Sequence, residues 1–507
     1  MKQELKLLDG EYWWGGIVAD GYQMPMGDET LQRDLRTDQL SNQTAPFLAS
    51  NKGRYIYGSE PFVYAFENRI LTIESEAAVT ISEGHGTLRG AYLAAAKKHF
   101  PASGTTPDPL LFTAPQYNAW IEMMYEPTGD KMVAYAQSIL DNGMPPGIIM
   151  IDDNWQEDYG VWTFHEGRFP EPKKTIDALH ALGFKVMLWV CNYISPDSYT
   201  FRELEKLGYL IQTKNGDSAI VHWWNGYSGI LDLTNPDACA WLKRRLDTLV
   251  KDYGIDGFKF DAGDPDVYMS DFVTHRTVTG TEYCKLWAQF GEQYALNEFR
   301  ACYDMGGRAL VQRLCDKRHA WDNVNGVASL IPNGLAQGIM GYAYNCPDMI
   351  GGGEYSCFLD NPDLDEELIV RFAQCAALFP MMQFSVSPWR ILSKEHLACC
   401  VAAANLHKKL GGEILQLARH AAQTGEPITR YMEYVFPGCG YEHITDQFML
   451  GDDILVAPVV TKKTYRRTVV FPAGNWQGEG YAVTGPCTKE LSAPIDTLLW
   501  FKKVSGE

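Results

Sequence analysis

The sequence lacks the features of several large classes of protein. It carries 44 Lys and Arg against 63 Asp and Glu, a formal net charge of −19, and has no basic cluster of the kind that binds a phosphate backbone. No apolar run approaches the roughly eighteen residues of a membrane span, and the first residues lack the apolar core of a signal peptide. We therefore expect no nucleic-acid partner, no membrane span and a cytoplasmic location.

Cysteine spacing gives no sign of a disulfide framework. The twelve cysteines run from Cys191 to Cys487, with none in the first third of the chain and no Cys-x-x-Cys pair. In a large chain without a signal sequence such thiols stay reduced.

The usual catalytic and cofactor motifs are also absent. No Gly-x-Ser-x-Gly elbow offers a serine nucleophile, and no G-x-G-x-x-G or P-loop follows a predicted strand. No His-x-x-x-His pair lies near the carboxylates described below, so a metal-assisted hydrolase is not indicated. We expect neither a cofactor nor a metal ion.

The middle of the chain alternates between helical and strand patterns. Three times between residues 110 and 265 a helical pattern stops at a glycine and an apolar run follows. Helices are predicted to begin after Thr128, at Pro172 and after Asn235, and strands to cover 147–151, 184–190 and the segment before Asp261. This repetition predicts a parallel α/β sheet, and the length favours a closed (β/α)8 barrel; a doubly wound sheet is the alternative.

The two ends of the chain follow a different pattern from the middle. Short alternating apolar runs separated by turn residues fill residues 1 to 105, and the same pattern returns from residue 426. We therefore predict three domains: an N-terminal β-sandwich over 1–105, a catalytic (β/α)8 barrel over 106–425, and a small C-terminal β-sandwich over 426–507.

Carboxylates and tryptophans occur together where predicted strands end. The carboxylates are Asp152, Asp153, Asp261, Asp264 and Asp348, and the indoles are Trp155, Trp189, Trp223 and Trp224. Carboxylates can accept paired hydrogen bonds from neighbouring sugar hydroxyls, and indole rings stack on the apolar faces of sugars. The pattern favours a small oligosaccharide or glycoside as substrate.

Asp261 ends the segment Gly254–Asp264 in a position typical of a catalytic group, because the C-terminal ends of barrel strands form the active site. Cleavage of a glycosidic bond needs one carboxylic acid to protonate the leaving oxygen and one carboxylate at the anomeric carbon. Asp261 suits the second role. Lys259 lies two residues earlier, on the same face of the strand, where its charge would keep Asp261 ionised. A purely structural Lys259–Asp261 ion pair is the alternative.

Several longer motifs resemble glycoside hydrolase family 31. They are Ile151-Asp152-Asp153-Asn154-Trp155, Val186-Met187-Leu188-Trp189-Val190, Phe258-Lys259-Phe260-Asp261 and Gly451-Asp452-Asp453-Ile454-Leu455-Val456-Ala457-Pro458. His222-Trp223-Trp224-Asn225-Gly226 and Pro347-Asp348-Met349-Ile350-Gly351-Gly352 look closest to the branch of the family that contains α-galactosidases and myogenesis-regulating glycosidase.

This resemblance implies a retaining, exo-acting α-glycosidase, with Asp261 as nucleophile and with galactose-type specificity. It implies a substrate-binding role for Asp152, Asp153, Trp189, Trp224, Lys259, Arg313 and Asp348. The alternatives are an α-glucosidase, an enzyme for a modified galactoside, and a sugar-binding pseudoenzyme.

One position departs from the family pattern. The acid/base aspartate of the family usually lies three residues after a tryptophan; here Trp321 fits, but the third residue is Val324. The nearest carboxylates are Asp322, one residue after the tryptophan, and Asp316 before it. We choose Asp322 as the expected acid/base.

Overall fold

The N-terminal part of the molecule consists of two packed antiparallel sheets. The computed structural model describes residues 1–36, 40, 42–359, 361 and 364–504. The N-terminal strands are β1 (Lys2–Lys6), β2 (Trp13–Ile17), β3 (Leu31–Asp34), β4 (Gln43–Ser50), β5 (Tyr55–Gly58), β6 (Val63–Glu67), β7 (Ile70–Glu74) and β8 (Val79–Ser82). One sheet has the order β1-β7-β6-β3, and β2, β4, β5 and β8 belong to the other. In β6, alternate residues Tyr64 and Phe66 are buried, as a sandwich requires.

A parallel sheet occupies the centre of the molecule. The strands of this region are β9 (Gln116–Asn118), β10 (Ile148–Ile151), β11 (Lys185–Val190), β12 (Tyr193–Ile194), β13 (Ile220–Trp223), β14 (Gly226–Ile230), β15 (Gly257–Phe260), β16 (Asn297–Phe299), β17 (Cys302–Tyr303), β18 (Gln312–Arg313), β19 (Asn345–Cys346), β20 (Met349–Ile350) and β21 (Gln383–Phe384). The parallel path runs β19-β18-β16-β15-β11-β10-β9-β21-β20. All residues of β10 and β15 are buried, as expected for strands covered on both faces.

The ends of this path belong to one strand. Only Pro347 and Asp348 separate β19 from β20, so the path closes into a ring of eight parallel strands. The predicted (β/α)8 barrel is therefore confirmed, with β-rich domains at both ends. Its strands contribute apolar side chains to one continuous core.

Helices surround the barrel, and three of them begin where the sequence predicts. The helices are α1 (Leu88–His99), α2 (Leu110–Thr113), α3 (Trp120–Met123), α4 (Gly129–Asp141), α5 (Pro172–Ala181), α6 (Tyr199–Leu207), α7 (Pro236–Thr248), α8 (Gly280–Gly291), α9 (Leu330–Ile339), α10 (Glu366–Ala376), α11 (Pro388–Ile391), α12 (Lys394–Thr424) and α13 (Met432–Val435). The Thr128 hydroxyl caps α4, and the Asn235 side chain caps α7. Within the described ranges, no helix combines the length and the apolar composition needed to cross a bilayer.

One connection of the barrel joins the N-terminal sheet. Between β16 and β18 the chain forms the short strand β17, which pairs in parallel with the start of β4. All residues of this connection are described, and β17 stands where the neighbouring connections carry a helix. The N-terminal domain is thus hydrogen-bonded directly to the loop that follows β16.

The C-terminal domain is an antiparallel β structure. Its strands are β22 (Thr429–Arg430), β23 (Phe448–Leu450), β24 (Ile454–Val456), β25 (Arg466–Gly478), β26 (Tyr481–Ser492) and β27 (Trp500–Val504), in the order β22-β23-β24-β27-β25-β26. The long pair β25 and β26 changes register between Phe471 and Gly474. Phe471, Trp476 and Phe501 are buried in a core that is separate from the barrel core.

Arg371 attaches the barrel to this C-terminal domain. It lies on α10 and is fully buried. Its two terminal nitrogens donate hydrogen bonds to the backbone carbonyls of Thr464, Ala493, Pro494 and Thr497, at 2.7–3.2 Å. One guanidinium therefore satisfies four carbonyls in the C-terminal domain.

We expect Arg371→Met to destabilise this junction. The methionine fills most of the space but leaves the carbonyls without a donor, a loss on the order of 3 kcal/mol. Hydrogen–deuterium exchange of residues 464–497 should become faster. Arg466→Met is the matched control, because Arg466 only pairs with Glu490 on the surface, and its effect should stay below about 0.5 kcal/mol. Unchanged exchange in the Arg371 variant would contradict the assigned role.

Candidate active site

Charged residues collect where the barrel strands end. Asp152 and Asp153 follow β10, Asp261 follows β15 and Arg300 follows β16, whereas Arg313 ends β18 and Asp348 lies between β19 and β20. All six are buried. Three residues of this region, Asp153, Ala262 and Asp348, have positive φ angles of 33°, 61° and 84°. Such strained backbone in non-glycine residues is a frequent property of functional sites.

Asp261 is held by three donors. Trp189 Nε1 donates to Oδ2 at 3.0 Å, whereas Arg300 Nε and the Ala262 backbone N–H donate to Oδ1 at 3.0 and 2.8 Å. Burial raises the pKa of Asp261, but the charges of Arg300, Lys259 and Arg313 outweigh it and hold the pKa well below its usual value. The carboxylate is therefore fixed in place and ionised.

The partner of Lys259 differs from the sequence prediction. Its Nζ lies 2.7 Å from Asp152 Oδ2 and 3.8 Å from Asp261 Oδ2. The long lysine side chain crosses the barrel interior and hydrogen-bonds a carboxylate at the end of β10. Lys259 stabilises the Asp261 charge at longer range, and its closest ion pair is with Asp152.

Arg300 is an important site residue that the sequence analysis missed. Besides the contact with Asp261, its Nη1 and Nη2 donate to the two oxygens of Asp264 at 2.8 and 2.5 Å. Its guanidinium carbon lies 5.4 Å from the centre of the Trp224 ring. The strand before it, Asn297–Phe299, has two polar residues out of three, so it lacks the apolar run that singled out Asp261. Asp264, one of the strand-end carboxylates noted in the sequence, fixes the orientation of Arg300.

Arg313 and Asp348 form a second buried pair. Arg313 Nη1 hydrogen-bonds Asp348 Oδ1, and Asp348 Oδ2 accepts the backbone N–H groups of Lys317 and Gly353 at 2.7 and 3.0 Å. Arg313 Nε also lies 3.2 Å from Glu298 Oε1. Burial raises the pKa of Asp348, and the charge of Arg313 opposes that rise.

Asp153 binds other protein groups with both of its oxygens. Tyr159 donates its hydroxyl to Oδ1 at 2.6 Å, and Asn225 Nδ2 donates to Oδ2 at 3.2 Å. Asn225 also donates to the Tyr159 hydroxyl at 2.6 Å. Burial, the largest effect, raises the pKa of Asp153 to about 7, although the Tyr159 hydrogen bond lowers it. Asp153 therefore ties the β13–β14 turn to the strand ends.

Trp224 lies at the tip of this β13–β14 hairpin. It is 53% exposed, whereas its neighbour Trp223 is buried. Arg300 covers part of the Trp224 ring. Of the two adjacent tryptophans, Trp224 is the one that remains accessible to a ligand beside the strand-end cluster.

The segment expected to supply the acid contains two aspartates with different surroundings. Asp322 is exposed, and its Oδ1 accepts the backbone N–H groups of Val324 and Asn325 at 2.9 and 2.8 Å. Burial raises the pKa of Asp322, but these hydrogen bonds outweigh it and lower the pKa. Asp316 instead accepts a hydrogen bond from Arg313 Nη1 at 2.7 Å. Only Asp316 contacts the strand-end cluster.

The site is built for carboxylate chemistry. In the part of the chain that the structure describes, no three His, Cys, Asp or Glu side chains group as ligands for a metal ion. What the site offers is an ionised carboxylate, flanking cations and an exposed indole. These groups suit nucleophilic attack on a polar, ring-shaped substrate.

Comparisons with known proteins assign the barrel and the C-terminal domain to one family. Residues 113–393 match the model of the glycosyl hydrolases family 31 TIM-barrel domain, and residues 425–503 match the family's C-terminal domain. Mouse myogenesis-regulating glycosidase is 31% identical over 417 residues, which are 80% of this chain and 58% of that protein. The α-xylosidase XylQ of Lactiplantibacillus pentosus is 26% identical over 71% of this chain and 49% of its own length. The chain thus spans about half of these relatives' length.

Solved structures share the fold at lower identity. A family 31 dextranase from Flavobacterium johnsoniae, complexed with glucose, superposes with a TM-score of 0.84 at 19% identity, over 99% of this chain and 66% of its own. An α-xylosidase from a soil metagenome, complexed with xylose, gives 0.86 at 19% identity, over 100% and 79%. The family's TIM-barrel domain alone matches more than half of the 507 residues. The chain therefore belongs to glycosyl hydrolase family 31.

Proposed function

We propose that this protein is a retaining, exo-acting α-glycosidase that removes terminal α-linked galactose through a covalent glycosyl-enzyme. The observation that carries the proposal is Asp261, a buried carboxylate kept ionised by Arg300 and oriented by Trp189 at the end of a barrel strand. A retaining mechanism needs such a carboxylate at the anomeric carbon. Membership of the family supports glycoside cleavage as the reaction class.

The other predicted site residues receive binding roles in this proposal. Asp152, Lys259, Arg313 and Asp348 carry hydrogen-bonding groups to the same end of the barrel as Asp261. We assign them to the hydroxyls of the terminal sugar. Asp153 acts through the hairpin it holds, and the open face of Trp224 stacks on the sugar or its leaving group.

Galactose specificity rests on the motifs of the α-galactosidase branch. The relatives include an α-glucosidase from Bacillus thermoamyloliquefaciens, an α-xylosidase and a sulfoquinovosidase from Escherichia coli, so the accepted sugar varies among similar chains. An α-glucosidase or a hydrolase for a modified galactoside is the alternative within the family. The cytoplasmic location stays a prediction, and Asp322, the acid/base chosen from the sequence, is one of two candidates for that role, with Asp316.

A second candidate is a sugar-binding protein without efficient catalysis. The observation that favours it is Val324, an apolar residue 48% exposed where the family pattern has its acid. Binding of free galactose in the absence of any turnover of aryl glycosides would support this candidate over the enzyme.

We expect Asp261→Asn to lower kcat at least about a thousandfold on aryl α-galactoside, because the amide cannot form the glycosyl ester. Activity should be compared on aryl α-galactoside, α-glucoside and α-xyloside, with proton NMR following the anomer released first. Asp271→Asn is the control, since this exposed aspartate follows the same strand. Initial release of the β-anomer, or an active Asp261 variant, would contradict the proposed mechanism.

The acidic limb of the pH profile should depend on Arg300. Because its charge lowers the pKa of Asp261, Arg300→Gln should raise that pKa, protonate the nucleophile at higher pH and move the acidic limb of kcat/KM up by about one to three pH units. Arg300→Lys keeps the charge and should move the limb less. Asp153, with a pKa of about 7, titrates in all three proteins. Identical limbs in the Gln and Lys variants would argue against charge as the cause.

Trp224→Ala should raise KM and lower kcat by a smaller factor. Losing one stacking surface removes on the order of 1 kcal/mol, roughly a fivefold change in KM. Tyr199→Ala is the matched control, because this tyrosine is 87% exposed but lies on helix α6. An equal response of the two variants would remove Trp224 from the substrate platform.

A further inference from the structure

We propose that Asp316 is the acid/base carboxylate of this enzyme, in place of the family residue that Val324 replaces. The inference rests on the proposed glycosidase function. It differs from the sequence prediction, which chose Asp322.

The other aspartates at the strand ends are committed elsewhere. Asp152 binds Lys259, Asp264 binds Arg300 with both oxygens, and Asp348 accepts from Arg313 and two backbone N–H groups. Asp153 is held by Tyr159 and Asn225. An acid/base residue has to exchange protons with a leaving group and then with water, so it needs an oxygen that reaches the substrate and the solvent.

Asp316 has both contact with the site and access to solvent. Its side chain is 38% exposed, while Arg313 beside it is 1% exposed. Arg313 Nη1 bonds both Asp316 Oδ1 and Asp348 Oδ1. Among the described residues, Arg313 is the only hydrogen-bond donor to the Asp316 carboxylate, and Oδ2 is left for a substrate.

A glycine leaves room for the two carboxylates. A Cβ atom on Gly353 would lie 2.9 Å from Asp316 Oδ1 and 3.0 Å from Asp348 Oδ1, closer than such atoms normally approach. The Gly353 backbone N–H instead binds Asp348. A side chain at position 353 would therefore collide with Met349, whose Cε lies 2.6 Å from that Cβ position, and with both carboxylates.

The backbone around Asp316 is anchored on both sides. Asn325 Nδ2 donates to the Asp316 carbonyl at 2.9 Å, and the next residue, Lys317, donates its N–H to Asp348. These contacts place the Asp316 side chain three residues beyond the end of β18. A positioned proton donor requires this kind of fixed backbone.

The same segment carries Asp322 away from the cluster. Trp321 Nε1 donates to Asp365, the N-cap residue of α10, at 2.9 Å. Asp322 then caps its own turn at Val324 and Asn325. The Asp322 side chain, held in this exposed turn through Oδ1, would have to leave the turn before it could serve a substrate bound at Asp261.

Two arginines connect Asp316 electrostatically to the nucleophile. Both Arg300 and Arg313 interact with the charges of Asp261 and Asp316. In the resting enzyme Asp261 carries a negative charge. When Asp261 becomes an ester that charge disappears, and the proton that Asp316 gives to the leaving group leaves a new negative charge beside Arg313.

Asp261 and Asp316 together account for the bonds and protons exchanged in both half-reactions. In the first, Asp261 forms a bond to the anomeric carbon as the glycosidic bond breaks, and the departing oxygen takes the electron pair and the proton of Asp316. In the second, Asp316 accepts a proton from water, the water oxygen bonds to the anomeric carbon, and Asp261 leaves as a carboxylate.

The test compares four variants of the full chain on aryl α-galactosides whose leaving phenols differ in acidity. Asp316→Asn should lose about 10²- to 10⁴-fold in kcat/KM on a poor leaving group and less than about tenfold on dinitrophenolate, with azide accelerating the latter. Asp322→Asn and Asp266→Asn should behave like the wild type, and Val324→Asp combined with Asp316→Asn should recover part of the loss on the poor leaving group.

The outcomes separate this inference from the proposed function. An equal loss of Asp316→Asn on all leaving groups, without azide rescue, would overturn the acid/base role and make Asp316 a sugar-binding residue. A leaving-group dependence that appears in Asp322→Asn instead would also overturn it. If the wild type cleaves no aryl glycoside at all, the proposed function itself fails. Circular dichroism of each variant excludes misfolding as the source of a loss.

Discussion

The hydrogen-bonded ion pair of Arg300 with Asp261 is the interaction on which the site depends. Taking these two charges out of water costs several kcal/mol for each ion, and the cost is recovered only where both groups have good partners. Asp264 takes the remaining two nitrogens of Arg300, and Trp189 and Ala262 complete the shell of Asp261. Asp261, the proposed nucleophile, is therefore ionised before a substrate binds, and no reorganisation is needed to create its charge.

The N-terminal domain fixes the backbone that carries these arginines. Gln43, the first residue of β4, donates its Nε2 to the carbonyls of both Arg300 and Arg313. Pairing of β17 with β4 begins two residues after Arg300, and Asn42 Oδ1 accepts the N–H of Cys315 at 2.8 Å. The N-terminal sheet thus positions the backbone of Arg300 and Arg313, two cationic residues of the barrel.

The local patterns of the sequence were sufficient to predict the fold but only part of the site. Apolar runs ending in carboxylates predicted β10 and β15, because short continuous apolar runs are typical of strands that are buried on both faces. The closure of the barrel at Pro347 and Asp348 is a long-range event that no local pattern contains. Arg300 was missed because β16 is only three residues long, and a strand that short has no readable period.

The proposal of Asp316 in place of Asp322 concerns a different limit of sequence reasoning. A motif spacing counted from Trp321 measures distance along the chain, whereas the active site depends on distance in space. Trp321 hydrogen-bonds Asp365 at the start of α10. The residue that follows it, Asp322, is exposed. Arg313 lies at the strand end, and a residue counted from it, Asp316, remains beside the cluster. Counting from the end of a barrel strand is the more physical measure.

Trp224, the proposed substrate platform, and Asp261, the proposed nucleophile, contact the same cation, Arg300. Trp224 lies against Arg300, and the turn that carries Trp224 is held by Asp153 and Tyr159 through Asn225. A sugar ring on the open face of Trp224 would exclude water from Arg300 without touching it. In the lower local dielectric the attraction between Arg300 and the developing charges of the reaction becomes stronger. Binding on the indole would then contribute to the chemical step as well as to affinity, because the Arg300 guanidinium contacts both the Trp224 ring and Asp261.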